Sequence, residues 1–146
     1  MSTPRQLCTF RLADLSFGID VLAVQEILRG RELTRIPLAP DSIEGLLNLR
    51  GQIVTALDLR EILALAPRPE GLPAMLLIVR DGDSRLALLV DSVGDVLEVD
   101  EESFELPPDT LPEATRTFIH GVHKLPKQLL HILNTAAVFS TSTLIN

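Results

Sequence analysis

The chain has 146 residues, 46% of them hydrophobic, and a formal net charge of −7. That length suits one domain, or two small lobes sharing a core, and the apolar content is enough to fill one. Lys124 and Lys127 are the only lysines and the arginines are scattered, so sequence-independent binding to a nucleic-acid backbone is excluded.

From the N-terminus, Met1–Gln6 shows no charged start leading into a long apolar stretch, so no secretory signal is expected. No apolar run reaches the roughly 18 residues of a membrane helix, and no direct membrane insertion is expected. Cys8 is the only cysteine and cannot form an intramolecular disulfide, which fits a reducing cytoplasm. It sits in an apolar strand, where a buried, inert thiol is expected. The segments CTFRLA and SFGIDV alternate around Asp14-Leu15 and predict a hairpin. Residues 21–28, VLAVQEIL, fit a short helix or a strand; on a helix, Val24, Ile27 and Leu28 share a face. LTRIP predicts a strand ended by Pro37, and APDSIEG a turn. GLLNL and QIVTALDL are joined by Arg50-Gly51, a two-residue hairpin turn. LREILAL predicts a short amphipathic helix, and residues 66–73 a linker.

The second half opens with MLLIVRDGDSRLALLV, a predicted hairpin turning at Asp81-Gly82-Asp83. VGDVLEVD follows, then an acidic, proline-rich loop from about Asp100 to Thr117. FIHGVHKLPKQLLHILNT predicts another hairpin, and AAVF the start of a final short helix.

The two halves resemble each other. FGIDVLAVQEIL aligns with LALLVDSVGDVL, setting Val24 on Val93, Glu26 on Asp95 and Ile27 on Val96. GLLNLRGQIVTALDLREIL aligns with GVHKLPKQLLHILNTAAVF, setting Gly45 on Gly121, Leu49 on Leu125, Gln52 on Gln128 and Leu57 on Leu133. A half of about five strands cannot hide both faces alone. Two packed barrels solve that problem, with lobes expected at about 7–66 and 74–140.

Chemistry-bearing motifs are sparse. No glycine-rich phosphate loop follows a strand, and there is no G-x-S-x-G elbow. His120 and His123 would face opposite sides of a strand, so no shared metal is expected. Glu98, Asp100, Glu101, Glu102 and Glu105 lack the glycine and ligand rhythm of a calcium loop, so a solvated acidic segment is expected. No cofactor is expected. In the Arg50-Gly51 turn, Gly51 supplies the positive φ. Arg50 has two readings on spacing alone: it is bathed by solvent, or it is held by a carboxylate, with Glu26 as one candidate.

FRLADLSFGIDVLAVQEIL, TRIPLAPDSIEGLLNLRGQIVTALDLREIL and LALLVDSVGDVLEV together resemble the CheW family of bacterial chemotaxis coupling proteins. The resemblance runs from about residue 7 to about residue 140. It implies an all-β fold of two packed, five-stranded SH3-like β-barrels related by a pseudo-twofold, with a few short helices. The same domain ends the histidine kinase CheA and forms part of CheV. The phosphotransfer, ATP-binding and receiver regions of those proteins are absent here, which points to a non-enzymatic adaptor in the cytoplasm, recruited to membrane receptor arrays. The implied partners are the cytoplasmic tip of a chemoreceptor and the regulatory domain of a CheA-type kinase.

Residue by residue, the resemblance implies a receptor groove at Val24, Glu26, Ile27, Gly45, Arg50, Gly51, Val93 and Val96, with Glu26 paired to Arg50. It implies a kinase-binding surface at Met75 and, on a looser match, Glu105. Gly45, Val93 and Val96 also fit plain turn and core roles. Pro126-Lys127 and Asn134-Thr135 depart from the family pattern. Two other functions stay open: an adaptor of a twitching-motility array, and a sensor holding a small molecule between the lobes. Few polar groups converge on the apolar segments, which argues against the sensor, and no nucleophile–base pair suggests an enzyme.

Overall fold

The computed structural model describes residues 4–30 and 32–145, with side chains through residue 141. Met1–Thr3 of the N-terminal reading lie outside the described residues. The first hairpin is β1 (Pro4–Leu12) and β2 (Leu15–Asp20); a 3-10 turn then leads into β3 (Val24–Arg29). The second hairpin is β4 (Ile43–Leu49) and β5 (Gln52–Asp58), followed by α1 (Leu59–Ile62). The third is β6 (Met75–Asp81) and β7 (Ser84–Val90), followed by β8 (Ser92–Asp100). After the short β9 (Phe104–Glu105) and α2 (Glu113–Arg116) come the last hairpin, β10 (Ile119–Leu125) and β11 (Gln128–Leu133), and α3 (Thr135–Ile145).

The strands form two sheets, in the orders β8-β1-β2-β11-β10-β9 and β3-β6-β7-β5-β4. They are the walls of two packed SH3-like barrels. The expected boundaries of the lobes are corrected by this order. Segments 7–66 and 74–140 do not each build a barrel, because each half gives its first hairpin to the other half's strands. Hairpin β1–β2 joins β8 and β10–β11, and hairpin β6–β7 joins β3 and β4–β5.

Within that exchange the internal repeat is reproduced at ladder level. Val24 lies opposite Val79, and its counterpart Val93 opposite Phe10. Ile27 lies opposite Leu77, and its counterpart Val96 opposite Cys8. A bulge follows Val24 in one ladder and lies between Val93 and Val96 in the other. Gly45 pairs with Ala56 just past a bulge, as Gly121 pairs with Ile132. Both sheets also carry one parallel ladder at equivalent positions, β5–β7 and β11–β2.

Alternation along the buried strands explains why the barrels stay together. Leu76 and Ile78 of β6 fill the interior of their own barrel with Leu47, Val54 and Leu89. Leu77 and Val79, on the opposite face, join a core shared by both sheets, with Phe10, Phe17, Leu57, Leu88 and Leu133. Phe10 and Phe17 stack there with ring centroids 5.4 Å apart. Val138 and Phe139 of α3 close the same core. Cys8 is buried in it, as expected of an inert thiol, and burial pushes its pKa up.

Three local readings change. Residues 21–28 are neither one helix nor one strand: a 3-10 turn over Val21–Ala23, N-capped by the Asp20 side chain, precedes β3. LTRIP makes only a single bridge, Thr34 to Leu46. The acidic loop holds a 3-10 turn over Glu101–Ser103 as well as β9 and α2. Asn134, a departure from the family pattern, accepts a hydrogen bond from the Ala137 N–H at 3.1 Å and so caps α3. Asp58 does the same for α1 through the Arg60 N–H.

A buried ion pair ties one barrel to the other. Arg60 of α1 donates through Nε to Asp91 Oδ1 at 3.0 Å and through Nη2 to Oδ2, and through Nη1 to the Ala66 carbonyl at 2.9 Å. Asp91 also accepts the Ala13 N–H, from the β1–β2 turn, at 2.8 Å. Burial alone raises the Asp91 pKa; the hydrogen bonds from Arg60 and Ala13 outweigh it, and the net shift is downward. Replacing Arg60 by alanine leaves a partly buried carboxylate short of its partner. Losing one partner of a fully buried pair costs roughly 3–5 kcal/mol, and the partial exposure of Asp91 and its retained Ala13 bond put this loss below that range. The expected result for Arg60→Ala is a fall in the denaturant midpoint at pH 7. Because the folded-state pKa of Asp91 is lowered, the pair's contribution is present above the ordinary value of about 4 and lost as pH falls through the lowered one. The gap between wild type and variant should narrow in acid. An unchanged midpoint at pH 7 would show the tie to be dispensable.

Candidate functional site

The β4–β5 turn places both of its central residues at positive φ, 51° for Arg50 and 84° for Gly51. This is the two-residue turn whose twist matches a hairpin. Asn48 braces it by accepting the Gly51 N–H at 3.0 Å. Glycine accepts such a φ freely; arginine does not, so this position carries a conformational cost.

Arg50 settles its two sequence readings in favour of the carboxylate. Its Nη1 and Nη2 donate to Glu26 Oε1 and Oε2 at 3.0 and 2.5 Å. The fork meets the carboxylate in two bonds, the geometry that distinguishes arginine from lysine. That hydrogen bonding raises the guanidinium pKa further. The pair is lopsided: the Arg50 side chain is 69% exposed and that of Glu26 21%. An exposed guanidinium therefore lies over a more sheltered acid. The clasp also has a topological role. β3 and β4 are opposite edges of the five-stranded sheet, so Glu26 and Arg50 join by side chains two edges that no ladder joins.

Ile27 and Val96 are exposed. Each stands opposite a residue of the shared core, Leu77 and Cys8 respectively. Residues directly opposite in a ladder share a face, so Ile27 and Val96 extend the two facing apolar surfaces past the point where the core covers them. Val24 and Val93 are half-buried against that core, which leaves them little surface to offer. Gly45 is buried, and a Cβ there would stand 2.8 Å from the Thr34 carbonyl oxygen. The close passage of residues 33–34 alone accounts for a glycine here. Gly121 does the same under β9, where a Cβ would meet the Glu105 oxygen at 2.4 Å.

Met75 is half-buried against the shared core, opposite Arg29 and Val90. Glu105 is exposed on β9 and pairs with Lys124 at 3.1 Å. These two lie on different sheets. Sequence reasoning missed a second polar cluster beside the clasp. Arg85 of β7 donates through Nε to Gln25 at 2.6 Å and through Nη1 to Gln52. The signal available was position: Gln25 directly precedes Glu26 and Gln52 directly follows Gly51. It also missed that His123 and His131 are buried, bonded respectively to the Ser103 hydroxyl and the Ser16 carbonyl. Among the described residues no group of three His, Cys, Asp or Glu is placed to hold a metal ion, and no helix is long and apolar enough to cross a membrane.

The CheW-like domain model matches residues 6–143. The chain belongs to the CheW-like domain family. It is 31% identical over 143 residues to the chemotaxis protein CheW of Treponema pallidum, covering 95% of this chain and 84% of that one. It is 31% identical over 115 residues to the protein PilI of Pseudomonas aeruginosa, covering 77% of this chain and 64% of that one. The crystal structure of the scaffolding protein TtCheW from Thermoanaerobacter tengcongensis superposes with a TM-score of 0.80 at 30% identity, over 90% of this chain and 89% of that one. Two pseudo-symmetric barrels sharing a core are thus an architecture this chain shares with that scaffolding protein.

Gly45 separates structural from contact roles at this site. Gly45→Ala is expected to push the 33–34 segment outward and destabilise the fold by about 1–3 kcal/mol, as overpacking does. Thermal unfolding reads this directly; a melting temperature equal to wild type would return Gly45 to the list of contact candidates.

Proposed function

We propose that this CheW-family chain is a non-enzymatic adaptor that couples the cytoplasmic tip of a chemoreceptor to a CheA-type histidine kinase, within a receptor array at the membrane. The observation that carries the receptor half is the bidentate Glu26–Arg50 clasp beside exposed apolar residues on the two facing sheets. A receptor tip presents helices with apolar anchors at helical spacing, and such helices seat in apolar grooves. Ile27 and Val96 supply the apolar contact, with the exposed edges of Val24 and Val93 beneath. Arg50 and Gly51 form the groove's polar wall, and Glu26 fixes where the guanidinium stands. Gly45 belongs to the same region through packing.

Kinase binding is assigned to the barrel sides at Met75 and Glu105. The regulatory domain of such a kinase has the same fold, so two like modules can meet at strand edges and apolar patches. Since Met75 also touches the core, Met75→Lys is judged only alongside its own unfolding curve. A second reading is an adaptor of a twitching-motility array; pull-downs against kinases of both kinds separate the two.

For the clasp, Arg50→Ala and Glu26→Ala should each lower affinity for a soluble receptor-tip fragment severalfold while moving the melting temperature little. The double variant should lose less than the sum of the singles, since each single strands a charge. Calorimetric titration of the four proteins tests this; strictly additive losses would remove the clasp from the binding account. The adaptor role further predicts that the purified chain neither hydrolyses ATP nor transfers phosphate, and measurable turnover would overturn it.

A further inference from the structure

Gln25 and Glu26 are neighbours on β3, and neighbours on a strand ordinarily face opposite sides. Here Val24 pairs with Val79 and Glu26 with Ile78, so Gln25 is the extra residue of a β-bulge. Bulges re-aim side chains, and this one lets Gln25 and Glu26 both reach the barrel end where the Arg50 turn lies. Gln52 is the first residue of β5, directly after Gly51. Arg85 holds both glutamines, Gln25 Oε1 at 2.6 Å through Nε and Gln52 Oε1 through Nη1. Arginine has donors only, so both carboxamides must turn their oxygens toward it.

The strand order makes this consequential. β3 and β5 are separated by β6 and β7 in the sheet, so no ladder fixes one against the other. Two side-chain bridges cross that gap: Glu26 to Arg50, and Gln25 to Gln52 through Arg85. Each uses one of two consecutive residues on β3 and one end of the same turn. The first is exposed at its arginine; the second starts from a half-buried guanidinium on a central strand.

We propose that Arg85 is a positioning residue for the Glu26–Arg50 clasp, holding β3 and the Arg50-Gly51 turn at the separation the bidentate pair requires through Gln25 and Gln52. It follows that the groove wall is set from inside the barrel as well as by its own ion pair. The consequence for binding rests on the receptor reading above; the consequence for the clasp does not.

The test reads Arg50 itself, by low-temperature side-chain NMR of its guanidinium Nη–H protons, the donors to Glu26, in the full chain. In the wild type those protons should exchange with water more slowly than those of a free arginine. Arg85→Ala should speed their exchange by about threefold or more and shift their resonances toward those of a free arginine. Arg80→Ala is the control. Arg80 is the exposed cross-strand partner of Arg85, so its loss removes the same charge without touching either glutamine, and Arg50 should not respond. Gln25→Leu removes one anchor at nearly constant volume and should reproduce the Arg85→Ala change, including in the event that Arg85→Ala fails to fold. An Arg50 signal unchanged in the folded variants, or changed equally by Arg80→Ala, overturns the proposal. Affinity for a receptor-tip fragment is measured in parallel, with a loss of about threefold to tenfold expected for Arg85→Ala. Absence of wild-type binding would count against the receptor reading alone and leave the Arg50 result to decide the role of Arg85.

Discussion

Strands β6 and β7 are apolar on both faces, and a sheet containing them cannot have a wet side. One face fills a barrel; the other must find a second apolar surface. The second barrel supplies it, and exchange of the first hairpins makes the union topological as well as hydrophobic. Neither half of the chain could close its barrel alone, since each lacks the hairpin at the middle of its sheet. The buried Arg60–Asp91 pair sits at this crossing. It links α1, the start of the passage into β8 and the first hairpin's turn, three segments brought together by the exchange. A buried ion pair is weak evidence of net stability, but it is directional where the apolar core is not. It favours one angle between the barrels over others that would bury similar area.

On that near-symmetric frame the surface is asymmetric, and the proposed binding role rests on the asymmetry. The turn equivalent to Arg50-Gly51 is Pro126-Lys127, whose proline fixes a negative φ; Lys127 is not among the residues of positive φ either. The counterpart of Glu26 is Asp95, exposed on β8. Among the described residues, the duplicated ladders thus carry a clasp in one barrel. A symmetric pair of barrels would offer a partner two equivalent approaches; this one offers a single polar wall beside the apolar faces. Ile27 and Val96 show the other side of the relation. They are equivalent in the frame, both exposed, and together mark where the shared apolar faces run out into solvent.

The hairpins were legible because alternation and turn chemistry are local. β1–β2, β4–β5, β6–β7 and β10–β11 all fall where the sequence predicts them. The partners of each hairpin were not legible. The repeat shows which segments are equivalent but is silent on whether a hairpin pairs with its own half or the other, and both choices bury the same residues. LTRIP had the composition of a strand, yet only Thr34 bridges to Leu46, since Pro37 and the exposed turn after it end the pairing. At the site, the Glu26–Arg50 pair could be narrowed to two readings from the residues, and the family resemblance pointed to one. Arg60, Arg85, His123 and His131 were missed for a common reason. A single polar residue in an apolar run reads as an exception, and whether it is buried with a partner depends on a segment far away in the chain.

Arg50 is the residue at which the demands of the fold and of the proposed role pull apart. As a turn former it is a poor choice: asparagine or glycine adopts a φ of 51° with less strain, and Arg-Gly is not the pairing such turns favour. As a stabiliser it is also poor, because its guanidinium is largely in water, where ion pairs are screened. Strained, exposed and still held in two hydrogen bonds, it fits the pattern of strain retained at functional positions. The surrounding structure over-determines it: Gly51 and Asn48 fix the turn, Glu26 fixes the fork, and Gln52 anchors the strand that follows. A side chain this closely placed adds little to stability. Under the proposed receptor reading, what it presents is a flat cation at the rim of two apolar faces, to a helix approaching there.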